Sequence, residues 1–317
     1  MKNPGGLLLC AAAIAAVAAC SSNGSNGKTT TTTTTASGGA KTIGVSIQDL
    51  EAQFYQQMEA GMQSQAAKYN YKVIFVDANR DSSKQQSQVE DFISKRVDAL
   101  VLTPYDSQAI GSAIAEANQA GIPVFTADIA NASSRGKVIS HIASNNVQGG
   151  REAGMLMCRA LGGSGDVAIL DEPEVTSVQD RVKGFKMALQ QHCPNVKIVG
   201  DVDSGGRRDK ASSDMGDVLQ RHKGLKGVFG INDDSALGAV SALRAAGAAG
   251  VFVVGYDATP EARTAIKNGA IYGDAIQYPA QIGQKTIDAI HDYFNRKKVP
   301  PRIDVVVGTF TKANAAK

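Results

Sequence analysis

Residues 98–128 read DALVLTPYDSQAIGSAIAEANQAGIPVFTAD, and this stretch decides the fold. Asp98–Thr103 is a near-continuous apolar run of strand length. Ser107–Gln119 carries apolar residues at helical spacing. Gly121-Ile122-Pro123 then turns the chain into a second apolar run, Ile122–Ala127. Strands buried on both faces lack polar alternation, so the unit predicts two parallel strands joined by a crossover helix. It recurs in both directions. Upstream, Thr42–Ile47 and Lys72–Asp77 read as strands, Phe54–Lys68 and Ser83–Lys95 as helices. Downstream the alternation restarts, with strands at Val138–Ile142, Asp166–Leu170, Val196–Asp201, Gly227–Ile231 and Val251–Tyr256. Helices at Val147–Leu161, Val178–His192, Lys210–His222, Ser235–Ala246 and Pro260–Asn268 separate them. The fold class is therefore α/β, with two Rossmann-like, doubly wound parallel-sheet lobes in tandem. Ile271–Ile276, Gln281–Arg296 and Ile303–Val307 come after the second lobe is complete, so part of this tail returns to the first lobe and makes a hinge of several crossings.

The chain has 317 residues, 33 Lys+Arg against 30 Asp+Glu, and a net charge of +3. This balance argues against nucleic acid as a partner, which calls for a basic stripe. There is no Trp and aromatic residues make up 5%, so any binding site draws on few rings.

The amino terminus is of a different kind. Lys2 is the only charge in the first 27 residues, and Leu7–Ala19 is an unbroken apolar run of 13 residues. That run is too short to span a bilayer as a helix and fits the apolar region of a secretory signal over residues 1–19. Val17-Ala18-Ala19-Cys20 resembles the lipobox of bacterial lipoproteins, which implies a lipidated Cys20 at the mature terminus. Residues 20–40 include seven consecutive Thr, Thr29–Thr35, and have no apolar periodicity; they read as a disordered tether. Cys10 leaves with the signal, so Cys158 and Cys193 remain, as a disulfide or as two buried thiols.

In open α/β sheets ligands bind beyond the carboxyl ends of strands. The polar and aromatic groups there are Phe54, Tyr55 and Asp128 in the first lobe, and Glu172, Arg181, Asn232 and Asp257 in the second, with Gln277 at a crossing. Each has an ordinary structural alternative: Phe54 and Tyr55 as the buried start of a helix, Arg181 as a surface charge, and Asn232, Asp257 and Gln277 as cap, turn and hinge formers. His141, His192, His222 and His291 show no metal-ligand spacing, and no activated nucleophile is visible, which argues against catalysis.

Four segments carry a resemblance to periplasmic sugar-binding proteins of the ribose-binding type. They are Ala117–Val124, Val138–Val147, Asn232–Gly238 with Val253–Asp257, and Ile276–Gly283. The resemblance covers Lys41 to about Ala313. It implies the type I periplasmic binding fold, three crossings near Ala143–Asn146, Ala275–Tyr278 and Ile303–Val306, and lobes of residues 41–144 plus 278–303 and 145–277 plus 304–317. It further implies a sugar or polyol held by Phe54, Tyr55, Asp128, Arg181, Asn232, Asp257 and Gln277, with Ser144 at a crossing; no cofactor and no metal; and an ABC permease as partner of a monomer tied to the membrane only by its lipid. A sugar sensor acting on a chemoreceptor or kinase is the alternative. Two departures stand out. Ile129 occupies the place of an Arg of the ribose pattern, and the aromatic residue of the second lobe falls on Gly205-Gly206-Arg207, where Arg207 or Arg208 would have to substitute. A monosaccharide of another shape or a polyol is therefore as well indicated as ribose. In such a fold the helices ending at Cys158 and Cys193 finish at the same end of one lobe, which makes a bridge between them plausible.

Overall fold

The computed structural model describes residues 40–315. The segments read as signal sequence and tether, with Cys20 between them, lie outside the described residues up to residue 39. The first sheet has the order β11-β5-β4-β3-β1-β2 and is parallel throughout. Its strands are β1 (Thr42–Ile47), β2 (Lys72–Asp77), β3 (Ala99–Leu102), β4 (Val124–Ala127), β5 (Ser140–Ser144) and β11 (Arg302–Val305). Helices α1 (Gln53–Lys68), α2 (Ser82–Ser94) and α3 (Gly111–Gln119) alternate with them. Every residue of β3 and β4 is buried, as strands covered on both faces require. One face packs Val45, Val101 and Phe125 against α1; the other packs Leu100, Leu102 and Val124 against α2 and α3.

The second sheet has the order β12-β10-β9-β8-β6-β7. Its strands are β6 (Ser164–Asp171), β7 (Asn195–Asp203), β8 (Leu225–Gly230), β9 (Phe252–Asp257), β10 (Gly273–Ile276) and β12 (Gly308–Thr311). All are parallel except β12, which runs antiparallel to β10. Helices α4 (Asn146–Ala160), α5 (Thr176–His192), α6 (Arg208–Arg221), α7 (Asp233–Ala245) and α8 (Pro260–Lys267) cover it, and α9 (Pro279–Phe294) returns to pack on α1.

The chain thus passes between the sheets three times: after Ser144, after Ile276, and between Val305 and Gly308. Three readings of the sequence are corrected here. The strand expected at Val138–Ile142 runs from Ser140 to Ser144 and pairs with β4 in the first sheet, inside the segment 41–144 that the resemblance assigns to the first lobe. The single last strand expected at Ile303–Val307 is two strands, and the boundary placed at 303/304 lies beyond Val305, which is buried in the first lobe's core. The helix expected from Ser107 starts at Gly111, because Asp106 closes a turn on the amides of Gln108 and Ala109.

Helices α4 and α5 touch through glycines. A Cβ on Gly150 would collide with the Arg181 carbonyl oxygen, and one on Gly184 with the Val147 carbonyl oxygen. Cys158 and Cys193 are disulfide-bonded at the far end of the same helix pair, with Cα atoms 5.8 Å apart. Gly184→Ala overpacks an interface whose partner atom is backbone and cannot yield, so it should cost about 1–3 kcal/mol. Urea unfolding checks this; a midpoint equal to wild type would refute the close approach.

Candidate ligand-binding site

The carboxyl ends of both sheets converge on a cavity of about 210 Å3. From the first lobe, β1 delivers Gln48, and the opening turn of α1 delivers Phe54 and Tyr55, each 6% exposed. The two rings meet edge to face, with centroids 5.1 Å apart and planes at 88°, rather than as parallel walls. The Tyr55 hydroxyl accepts a bond from Gln48 Nε2 at 2.5 Å and donates to Asp128 Oδ2 at 3.1 Å. Asp128 follows β4 at φ +65°, a left-handed conformation that short polar side chains tolerate better than most. Its other oxygen, Oδ1, is buried with no partner among the described residues.

The second lobe contributes a buried arginine. Arg181 on α5 is 5% exposed. Its Nε donates to Asn146 Oδ1 at 3.0 Å and its Nη1 to the Ile231 carbonyl at 2.9 Å. The guanidinium lies 4.2 Å from the Tyr256 ring centroid and 3.9 Å from Asp257 Oδ1. The Tyr256 hydroxyl also donates to Asn146 Oδ1, at 3.1 Å. Asn232 caps α7 by accepting from the Ser235 amide at 2.8 Å, and its Nδ2 donates to the Gly206 carbonyl at 3.0 Å. Cap and cavity wall are thus one residue. Asp257 and Ala258, at φ +109° and +57°, hold consecutive left-handed conformations at the end of β9. Such strain costs of order 1–3 kcal/mol per residue and gathers at functional sites.

Of the residues expected from the sequence, Phe54, Tyr55, Asp128, Glu172, Arg181, Asn232 and Asp257 line the cavity. Gln277 and Ser144 do not. Gln277 stands behind Asp257 and donates to its Oδ1 at 2.6 Å, and Ser144 is fully buried at the first crossing. Arg207 points away, paired with Asp209 and 55% exposed, while Arg208 stands at the cavity mouth, paired with Asp234 and Glu261. The sequence reading did not single out Gln48, Arg80, Asn146 or Tyr256. Their roles come from neighbours distant in the chain, although Gln48 sits directly after a strand, where a signal existed.

The lobes also meet directly. The Thr176 amide at the start of α5 donates to Ser107 Oγ at 3.1 Å, and its Oγ1 accepts from the Ala130 amide at 3.1 Å. The electrostatics follow from burial in this closed cleft. Burial raises the pKa of Asp128, against the opposing effects of Arg181 and Tyr55. Burial also holds Asp257 well above the usual carboxylate range despite Arg181. Glu172 is pushed up to about 7, chiefly by burial and secondarily by Glu174 and Asp203, with Arg80 and Arg181 pulling it down. The result is a pocket of hydrogen-bond acceptors around the Arg181 guanidinium, with Arg80 and Arg208 also on its wall, suited to a ligand that both donates and accepts. Among the described residues no cluster of side chains fits a metal ion.

These features define a two-lobed receptor for a small polar molecule. A periplasmic binding protein domain profile matches residues 43–298, and the chain belongs to that family. It is 36% identical over 263 residues to the ribose import binding protein of Bacillus subtilis, covering 83% of this chain and 84% of that one. It is 31% identical over 239 residues to the xylitol-binding protein of Mycolicibacterium smegmatis, covering 75% of this chain and 67% of that one. Among solved structures, an ABC transporter solute-binding protein from Agrobacterium vitis bound with alpha-D-tagatopyranose superposes with a TM-score of 0.83 at 27% identity, covering 87% of this chain and 96% of that one. The family comprises sugar-binding components of ABC importers, not enzymes.

The raised pKa of Glu172 sets a pH dependence. Burial in the cleft pushes the Glu172 carboxyl up to about 7 from an ordinary 4.5, and opening the cleft to water is expected to lower it again. Closure therefore takes up a proton between these values. The advantage is complete below about 4.5 and is lost as pH rises through 7. Asp128 and Asp257 act with the same sign. A ligand that closes the cleft should bind about tenfold more tightly at pH 6 than at pH 8. Calorimetry in buffers of different ionisation enthalpy detects the proton; tighter binding at pH 8 would refute the assignment.

Proposed function

We propose that this chain is an exported solute-binding lipoprotein that captures a monosaccharide or polyol between its lobes and hands it to an ABC permease. One observation carries the reading. Asp128 Oδ1 and Gln48 Oε1, both buried with no partner among the described residues, belong to side chains lining the same cavity as the Arg181 fork. A hydroxyl both donates and accepts, so a polyhydroxyl compound satisfies the carboxylate, the amide and the guanidinium together without bringing charge into a cleft that already buries several acids. Phe54, Ile129, Val175 and Val178 offer C–H faces their apolar cover. Ile129 in place of an arginine and Gly206 in place of a ring move the preference away from ribose and toward another monosaccharide or a polyol.

The mechanism is closure. A ligand bridging Asp128 of the first lobe and Arg181 of the second touches both only when the lobes meet, and that difference in contact shifts the population to the closed form. The closed rim is then the signal to the permease. In this reading Cys20 carries the lipid, residues 20–40 tether the receptor to the membrane, and a monomer suffices.

A thermal-shift screen with D-ribose, D-allose, xylitol and myo-inositol tests the ligand class. A true ligand at 100 times its Kd stabilises by about 2.7 kcal/mol. Asp128→Asn removes a charged acceptor and should weaken binding by tenfold or more, while the melting temperature of the free protein holds or rises, because a buried acid has gone. If no sugar or polyol shifts melting and another class of metabolite does, the reading fails.

A further inference from the structure

Arg80 follows β2 in the first lobe, at φ +56°, directly after Asn79 at φ +53°. Two consecutive left-handed residues without the freedom of glycine aim its side chain across the cleft. Its Nε donates to Asp49 Oδ2 of its own lobe at 2.8 Å. Its Nη1 donates to Glu172 Oε1 of the second lobe at 3.3 Å and to the carbonyl oxygen of Gly205. Arg80 and Asp49 side chains are each 14% exposed and Glu172 is 5% exposed, so this is a buried interlobe pair rather than a solvated surface contact.

The place of the pair matters. Gly205 and Gly206, at φ +58° and +61°, form a left-handed turn that carries no side chain. A Cβ on Gly206 would collide with Glu172 Oε2 and come within 3.0 Å of Asn232 Nδ2. Carboxylate and amide thus fill the room where the sequence pattern leads one to look for a ring of the second lobe, and Arg80 and Glu172 both line the cavity.

We propose that Arg80 and Glu172 determine specificity as a hydrogen-bonded clasp between the lobes, presenting a guanidinium and a carboxyl group to ligand hydroxyls on the side of the cleft that lacks a ring. The inference rests on the reading of the cavity as a polyhydroxyl site. It selects for ligands that turn hydroxyls, and not a C–H face, toward the Gly205-Gly206 turn. A guanidinium bonded to both lobes also makes clasp formation part of closure.

The test titrates wild type, Arg80→Ala, Arg80→Lys and Glu172→Gln with D-ribose, D-allose, xylitol and myo-inositol by calorimetry, and records small-angle scattering of each protein with and without these compounds. Arg80→Ala should weaken the best-bound compound about tenfold to a hundredfold and change the order of preference among the four. Arg80→Lys, which keeps the charge but loses the fork, should recover only part of the loss. Glu172→Gln keeps an acceptor for Nη1 and should weaken binding less than Arg80→Ala does. A purely structural role would lower the melting temperature and leave the order of preference unchanged; that outcome, or Kd values within twofold of wild type, overturns the proposal. If wild type binds none of the four, the ligand reading falls, and scattering judges the clasp alone. A larger radius of gyration in Arg80→Ala than in wild type sustains it, and superimposable profiles overturn it.

Discussion

Burying Arg181 is the constraint on which the site depends. A guanidinium withdrawn from water must find partners for its donors, since an unpaired buried charge costs several kcal/mol. The second lobe supplies them from four separate places: Asn146 at the first crossing, the Ile231 carbonyl after β8, the Tyr256 face on β9 and Asp257 at its end. These positions lie far apart in the chain and meet only when the second sheet is assembled and the chain has crossed from the first lobe. The same bonds that make the arginine tolerable thus order the strand ends that form the ligand wall. Gly150 and Gly184 serve this arrangement by letting α4 and α5 approach backbone to backbone, which brings Asn146 within reach of Arg181.

The first lobe answers with acceptors. Asp128 is held by Tyr55, and Tyr55 by Gln48, so a single hydrogen-bonded row joins the ends of β1 and β4. With Arg181 on one lobe and Asp128 on the other, neither lobe alone offers both groups to the proposed polyhydroxyl ligand. In the proposed reading ligand affinity and domain closure are one free-energy term, to which a proton taken up by Glu172 would add. The first and third crossings are tied to each other, because the Asn145 amide donates to the Val305 carbonyl, while the second is tied to β9 by the Gln277 amide on the Asp257 carbonyl.

Much of this was legible in the sequence. Runs such as Ala99–Leu102 announce a strand buried on both faces, and the turn Gly121-Ile122-Pro123 punctuates helix and strand without ambiguity. Strand ends then name Asp128, Arg181, Asn232 and Asp257 as residues facing one rim. The pattern loses its power where short elements cross between lobes. Ser140–Ser144 and Arg302–Val305 belong to the first sheet by pairing, a non-local property that local composition does not encode. Arg80 is a surface arginine in any linear reading; two left-handed residues and a glycine turn more than 120 positions away make it a cleft residue. Tyr55 was expected to stack on a ligand; its ring lines the cavity, and its hydroxyl also ties Asp128 to Gln48, a contact the sequence does not announce. The scarcity of rings has a physical counterpart in the cleft, where a carboxylate, an amide and a guanidinium fill space that a ring would otherwise take.

The central claim is that a buried arginine of the second lobe and a carboxylate of the first hold one polyhydroxyl ligand between them. Calorimetric titration of Arg181→Gln beside wild type tests it most directly, using whichever of D-ribose, D-allose, xylitol and myo-inositol wild type binds. The variant should stay folded, with its near-ultraviolet dichroism preserved, and show no measurable binding heat. A Kd within a few-fold of wild type in that variant would contradict it.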